Sequence, residues 1–165
     1  MENLNNNAAV LLHREKEYSR QELSQHYKRI KGSEQKILRA RQDGFSISQL
    51  EVEELTEKLG NALINISVIT GHSLPQNKLH TDLLVDELTV YLFEYGYENL
   101  TIAEIIEAFR LNCSCNFRYA DGDYAQQTAI FGEHISVDYV SKVLNTYFTF
   151  RKILDSNLKN IIDGY

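Results

Sequence analysis

The sequence predicts an all-α protein: a helical bundle of about five to six helices, with a long basic N-terminal helix and an irregular loop or short hairpin near residues 113–135. Two observations predict this class. Apolar residues recur at steps of three and four along most of the chain, which is the period of an amphipathic helix. The 165 residues include one proline and eight glycines, too few turn residues for an all-β chain of this length.

The first predicted helix runs from Ala8 to about Gln42. Gly32 and Ser33 interrupt it, as a kink or as a break into two helices, because glycine inside a helix costs about 1 kcal/mol relative to alanine. Its apolar residues form a narrow seam of near-heptad spacing, which is typical of coiled coils. The residues of this seam that we expect to mediate self-association are Leu23, Tyr27, Ile30 and Ile37.

Asp43-Gly44 is predicted to end the first helix. Ser48 and Glu51 match a capping box, so the second helix is expected to begin there and to reach about Thr70. Four glutamates crowd its first turns, where they suit the positive end of the helix dipole. They also form a candidate acidic patch for a basic partner, although glutamates at such positions are usually only solubilising.

The segment 71–77 contains the only proline and is the clearest loop in the chain. The next helix is predicted over Leu79–Glu94, with its apolar pattern running through Leu83 and Tyr95 and with Gly96 as its cap. The short link that follows predicts a hairpin with the next helix.

Thr101 and Glu104 form a second capping-box pattern, and the apolar residues that follow lie on one stripe. On this pattern Glu104, Glu107 and Arg110 are expected to be solvated. Ser136 is predicted to cap the last long helix, which is apolar along one side.

The net charge of −6 is unevenly distributed. Residues 1–42 hold nine Lys or Arg against five acidic residues, residues 43–112 hold three against twelve, and residues 113–165 hold five against six. We therefore divide the chain into a basic helical arm, residues 1–42, and a helical bundle domain, residues 43–165, with a candidate sub-boundary at 71–78. Such asymmetry indicates an attachment arm, or attraction between parts of the molecule or between copies.

The basic residues of the arm have two interpretations. They are either a nucleic-acid contact surface, where cations neutralise phosphates and neighbouring aromatic rings stack on bases, or a solvated helix face beside a coiled-coil seam. The candidate nucleic-acid-binding residues are Arg14, Lys16, Arg20, Lys28, Arg29, Lys31, Lys36, Arg39 and Arg41.

Metal or nucleophile chemistry has one candidate location, the polar-aromatic segment near 113–135. Cys113 and Cys115 lie there with His134, Asp121 and Asp123, but their spacing matches neither the usual zinc patterns nor a complete calcium loop. Two small buried thiols at a helix end are the alternative interpretation. No Gly-rich phosphate loop or hydrolase motif is present. We therefore expect no cofactor, no metal and no enzymatic activity.

The cysteines are too close in sequence to join distant parts of the fold, and no apolar run is long enough to cross a bilayer. Together with the lack of a signal-peptide pattern, this predicts a cytoplasmic protein without membrane association.

Two stretches carry a family resemblance: Leu100–Asn112 (LTIAEIIEAFRLN) and Phe131–Tyr147 (FGEHISVDYVSKVLNTY). With the insert between them they resemble a small helical domain of uncharacterised or replication-associated proteins of bacterial phages and mobile elements. The resemblance covers about half of the chain and rests on apolar spacing, not on a catalytic signature. It implies a role beside a replicative helicase or primosome, as a loader-like or organiser-like adaptor without its own ATPase.

The sequence therefore leads to three functional hypotheses. The first is a non-enzymatic accessory protein of a phage or mobile element that binds protein partners, with nucleic acid as a second partner. The alternative is a structural or assembly protein that forms homo-oligomers through its N-terminal helix. The third is a small enzyme or metal-binding protein built on Cys113, Cys115 and His134.

Overall fold

The computed structural model describes residues 32–113 and 134–163, and the chain divides into two units, Met1–Lys31 and Gly32–Tyr165. Within the described ranges the structure contains five α-helices and no strand, which confirms the all-α prediction. A short 3-10 helix, Ile47–Gln49, precedes the second α-helix. The α-helices are α1 (Ser33–Arg41), α2 (Val52–Thr70), α3 (Lys78–Glu94), α4 (Ile102–Cys113) and α5 (Val137–Asp163).

Helix α4 is the centre of this unit, because α1, α2 and α5 all pack against it. Helix α3 packs on α2 and α5. The side chains of Ile105, Ala108 and Phe109 on α4 are fully or almost fully buried and join one continuous core with Leu63 of α2 and Leu144 of α5. The fold is therefore held together by apolar burial around one short helix.

The capping box that begins α4 is confirmed. The backbone N–H of Glu104 donates to Thr101 Oγ1 at 3.1 Å, and the backbone N–H of Thr101 donates to Glu104 Oε2 at 3.0 Å. The Thr101 hydroxyl also donates to the carbonyl oxygen of Ala40 at 2.8 Å, so the cap ties α4 to the last turn of α1. Ser136 caps α5 as predicted, since its hydroxyl accepts from the backbone N–H of Tyr139 at 3.1 Å.

Helix α1 begins after Gly32, whose φ of 75° lies in the left-handed region that glycine adopts without strain. Gly32 therefore lies outside α1, and the part of the predicted helix that precedes Gly32 lies outside the described residues. Ile37 is fully buried and Ala40 nearly so. The structure thus groups Ser33–Arg41 with the bundle, whereas the charge pattern places these residues in the arm.

The predicted start of α2 at a Ser48–Glu51 capping box is wrong. The reciprocal side-chain and backbone bonds join Ser46 and Gln49 on the 3-10 helix, and α2 begins only at Val52, without a side-chain cap. The backbone of Leu50 and Glu51 is extended, with ψ of 141° and 154°, so no helix continues from Ser48 into α2. The N–H groups of Ile47 and Ser48 donate to the carbonyl oxygens of Leu100 and Glu98 at 2.9 Å each, which holds this segment beside the start of α4.

Helices α2 and α3 form a hairpin whose ends follow the sequence signals. Gly71 ends α2 with φ 71°, and the Asn77 side chain accepts from the backbone N–H of Leu79 at 2.8 Å to begin α3. The connecting loop is held by the Ile135 N–H, which donates to the carbonyl oxygen of Ser73 at 3.0 Å. Residues on both sides of the candidate sub-boundary at 71–78 belong to the same unit.

Candidate functional site

Three of the nine candidate nucleic-acid-binding residues lie in the described part of the chain, all on α1. Lys36 and Arg39 are exposed, as a phosphate contact requires. Arg41 has a side chain only 11% exposed, and its guanidinium binds Asp155 on α5 through Nη1 and Oδ1 at 2.6 Å. The other six, Arg14, Lys16, Arg20, Lys28, Arg29 and Lys31, lie outside the described residues.

Of the candidate self-association residues, only Ile37 lies in the described part of the chain. Its side chain is 0% exposed and belongs to the core of the bundle. Leu23, Tyr27 and Ile30 lie outside the described residues, so self-association through the N-terminal helix stays a prediction.

A buried ionic cluster joins three helices around Glu104 of α4. The expectation that Glu104 and Glu107 are solvated is wrong, because they are 0% and 8% exposed. Glu104 Oε1 accepts from the Tyr147 hydroxyl at 3.0 Å, and Arg151 Nε lies 2.9 Å away, although it is not aligned for a hydrogen bond. Arg41 Nε approaches the same oxygen to 3.9 Å. We call this set, with Asp155, the Glu104 cluster.

Burial sets the protonation behaviour of this cluster. It raises the pKa of the Glu104 carboxyl, while the arginines, the Thr101 N–H and the Tyr147 hydroxyl act in the opposite direction. Burial, followed by the neighbouring carboxylate, raises the pKa of Tyr147 well above its ordinary value. The Glu104 cluster therefore joins α1, α4 and α5 through ionic and hydrogen-bond contacts.

Two residues of the Cys–His hypothesis, Cys113 and His134, lie in the described part of the chain. His134 Nδ1 lies 2.6 Å from the Ser73 hydroxyl, and both residues are exposed. Cys113 is the last residue of α4 and is half-buried. Among the described residues no group of three metal-binding side chains comes together. Cys115, Asp121 and Asp123 lie outside the described residues, so the metal and thiol hypotheses stay untested.

The solvent side of α3 carries exposed apolar side chains. This helix buries Val85, Leu88 and Leu92 on one side. On the opposite side Leu79, Leu83 and Val90 are 62%, 50% and 51% exposed. We call the exposed stripe the outer face of α3; its residues are Leu79, Leu83, Asp86, Glu87, Val90 and Glu94.

Helix α2 has a second, smaller exposed apolar pair, Ile64 and Val68, one turn apart and opposite its buried side. Its N-terminal half presents exposed glutamates, of which Glu54 pairs with Lys58 at 2.8 Å. Over the range 52–94 the two helices and their loop hold seven acidic residues and two lysines. The hairpin therefore combines exposed apolar side chains with a strongly negative charge.

The apolar spacing of α3 does not predict this surface, because it places Leu83 and Tyr95 in the same pattern as the residues that are buried. Both are at least half exposed in the fold. The signal was present, since apolar residues on α3 cover more of the helix circumference than one neighbour can bury. Which of the two sides faces the core depends on packing against α2 and α5, and spacing alone does not determine it.

Comparisons with known proteins assign no family to this chain. No protein-family model matches the chain, and neither the curated proteins nor the solved structures searched contain a match. In the part of the chain that the structure describes, no helix has the length and apolar character needed to span a membrane.

Proposed function

We propose that this protein is a non-enzymatic adaptor that binds a partner protein through the outer face of α3. The observation that carries the proposal is the exposure of Leu79, Leu83 and Val90 on a helix that already buries its other side. A helix that is apolar on two sides is typical of one covered on both. Clustered exposed apolar side chains with polar neighbours are the usual mark of a protein interaction site.

The setting of this adaptor follows from the family resemblance, which implies replication of a phage or mobile element. The basic residues of the first 31 positions and the exposed Lys36 and Arg39 support contact with nucleic acid as its second activity. Opposite charges in the arm and the hairpin support two different kinds of partner, an anionic polymer for the former and a protein for the latter.

The test is affinity capture from native cells with the full-length protein, with and without nuclease. Leu83→Ser combined with Val90→Ser should abolish capture of a protein that survives nuclease treatment, because these side chains supply the apolar contact. Ile64→Ser with Val68→Ser is the matched control on α2 and should leave capture unchanged. Capture that is equal for all three proteins contradicts the proposal.

Nucleic-acid binding needs its own measurement. The full-length protein should bind single-stranded or duplex DNA with an affinity that falls as salt rises, and a chain lacking residues 1–31 should lose most of it. This deletion is sharper than one of residues 1–42, because Ile37 and Arg41 belong to the bundle. Binding that does not depend on salt or on the arm contradicts this part.

Light scattering distinguishes the assembly alternative from the adaptor function. A defined oligomer that dissociates when Leu23 and Ile30 are changed to Ala supports a structural protein, whereas a monomer in both cases supports the adaptor.

A further inference from the structure

We infer that the outer face of α3 takes a basic amphipathic helix of its partner. This inference rests on the proposed function and specifies the chemistry of the partner. The first step is the geometry of the apolar positions. Leu79, Leu83 and Val90 are separated by four and seven residues, so they lie along one side of the helix. A ridge of this kind is the surface that a second helix packs against.

The second step is the charge beside that ridge. Asp86 and Glu87 both lie between Leu83 and Val90, and Glu94 lies one turn beyond Val90. All three acidic residues are exposed. None of them forms an ion pair with another described residue. The apolar ridge is thus flanked by carboxylates that a partner's lysines or arginines would neutralise.

Three other occupants fit this face less well. Nucleic acid and anionic lipid surfaces are negatively charged, so this face repels them. A second copy that packed this face on itself would bring two acidic faces together, which disfavours pairing. A cationic helix satisfies both the apolar ridge and the charge. The partner's helix would pack on the bundle as an additional helix, with apolar residues three and four positions apart and basic residues beside them.

The experiment uses the full-length protein and a synthetic helical peptide with leucines on one face and lysines beside them. Two control peptides are used: one has the same composition with the leucines scattered around the helix, and one has glutamates in place of the lysines. The designed peptide should bind, binding should weaken with salt, and both controls should bind at least about tenfold more weakly.

Variants of the protein assign the binding to this face. Asp86→Asn with Glu87→Gln should weaken peptide binding by roughly three- to tenfold, and Leu83→Ser with Val90→Ser should weaken it by more than about tenfold. Glu53→Gln with Glu57→Gln is the matched control, since it removes the same charge from exposed positions of α2. An equal loss in this control, or no loss in the α3 variants, overturns the inference.

Failure of this inference and failure of the adaptor function give different results. If the designed peptide does not bind but Leu83→Ser with Val90→Ser still abolishes protein capture, the partner is not a basic helix and the adaptor function stands. If the designed peptide does not bind and Leu83→Ser with Val90→Ser leaves protein capture unchanged, both proposals are wrong. A dimer in light scattering that is lost in the same variant identifies a second copy as the occupant and overturns the inference.

Discussion

At the scale of single residues, Glu104 does two tasks with one carboxyl group. Its Oε2 accepts from the Thr101 N–H and completes the α4 cap, while its Oε1 meets Tyr147 and two arginines from other helices. A buried carboxylate is tolerated only when such partners surround it. The cap therefore fixes both where α4 begins and how α1 and α5 lie against it.

Changing Glu104 to Gln should destabilise the fold. Gln retains the shape and one acceptor, but it leaves the nearly buried Arg151 without its anion, and removing one member of a buried pair costs about 3 kcal/mol. Chemical denaturation followed by circular dichroism measures this loss. Glu57→Gln on the exposed surface of α2 should leave the free energy of unfolding unchanged. Equal stabilities of the two variants would contradict the role of Glu104 in holding the three helices together.

Changing Arg151 to Gln should make stability more dependent on pH. The Arg151 guanidinium lowers the pKa of Glu104 against the larger effect of burial, so its removal raises that pKa further. A carboxyl whose folded pKa is raised contributes stability that is present below its unfolded pKa, near 4.5, and lost as pH rises through the folded pKa. The free energy of unfolding of the variant should therefore fall further below that of the wild type at neutral pH than at pH about 4.

Denaturation at several pH values between these limits measures that deficit. Lys142→Gln is the control, because its ion pair with Asp138 lies on the surface and should contribute little to stability at any of these pH values. A deficit of Arg151→Gln that is constant with pH would show that Arg151 does not act on Glu104.

The sequence could not reveal the Glu104 cluster. The capping box predicts the bond of Glu104 to Thr101, and this was confirmed. The arginines that meet it lie 63 residues before and 47 residues after it in the chain, since they are Arg41 and Arg151. Only the packing of α1 and α5 on α4 brings them together, so spacing within one helix predicts a solvated carboxylate instead.

At the scale of elements, helix ends were predictable where a local signal is unique. The ends of α2 at Gly71 and of α3 near Gly96, and the starts of α4 and α5, follow caps that are visible in the sequence. The start of α2 was not predictable in this way, because α2 begins at Val52 with Glu51 before it and without a side-chain cap.

Gly60 inside α2 and Gly71 directly after it should respond to alanine with opposite changes in stability. Gly60 lies inside the helix with open space around its Cα, so Gly60→Ala should stabilise the protein by up to about 1 kcal/mol. Gly71 has φ 71°, a conformation that costs an L-residue about 1 kcal/mol, so Gly71→Ala should destabilise by a similar amount. Thermal unfolding of the two variants measures both, and shifts of the same sign would contradict this helix boundary.

At the scale of the whole molecule, charge and packing place the boundary of the arm differently. The basic region ends at residue 42, but the division into units falls between Lys31 and Gly32. Charge marks which residues face solvent or an anionic partner, and it does not show which apolar side chains enter a core. Helix α1 has exposed cations and a buried Ile37, so it shares the arm's charge while it packs with the bundle.

Two N-terminal deletions test this boundary. Removing residues 1–31 should leave the cooperative unfolding of the bundle nearly unchanged, because Gly32–Tyr165 is a unit of its own. Removing residues 1–42 should destabilise it by several kcal/mol, since the chain then loses the fully buried Ile37, whose removal alone is expected to cost about 2–5 kcal/mol. It also loses the Ala40 carbonyl that binds Thr101 and the Arg41 pair with Asp155.

Circular dichroism during urea unfolding measures both truncated chains against the full-length protein. The point change Ile37→Ala in the full-length chain is the control, because it should reproduce a large part of the loss without removing the arm. Equal stability of the two deletions would place α1 with the arm, as the charge pattern does. It would also remove the structural reason for assigning Arg41 to the Glu104 cluster and return it to the basic residues that contact nucleic acid.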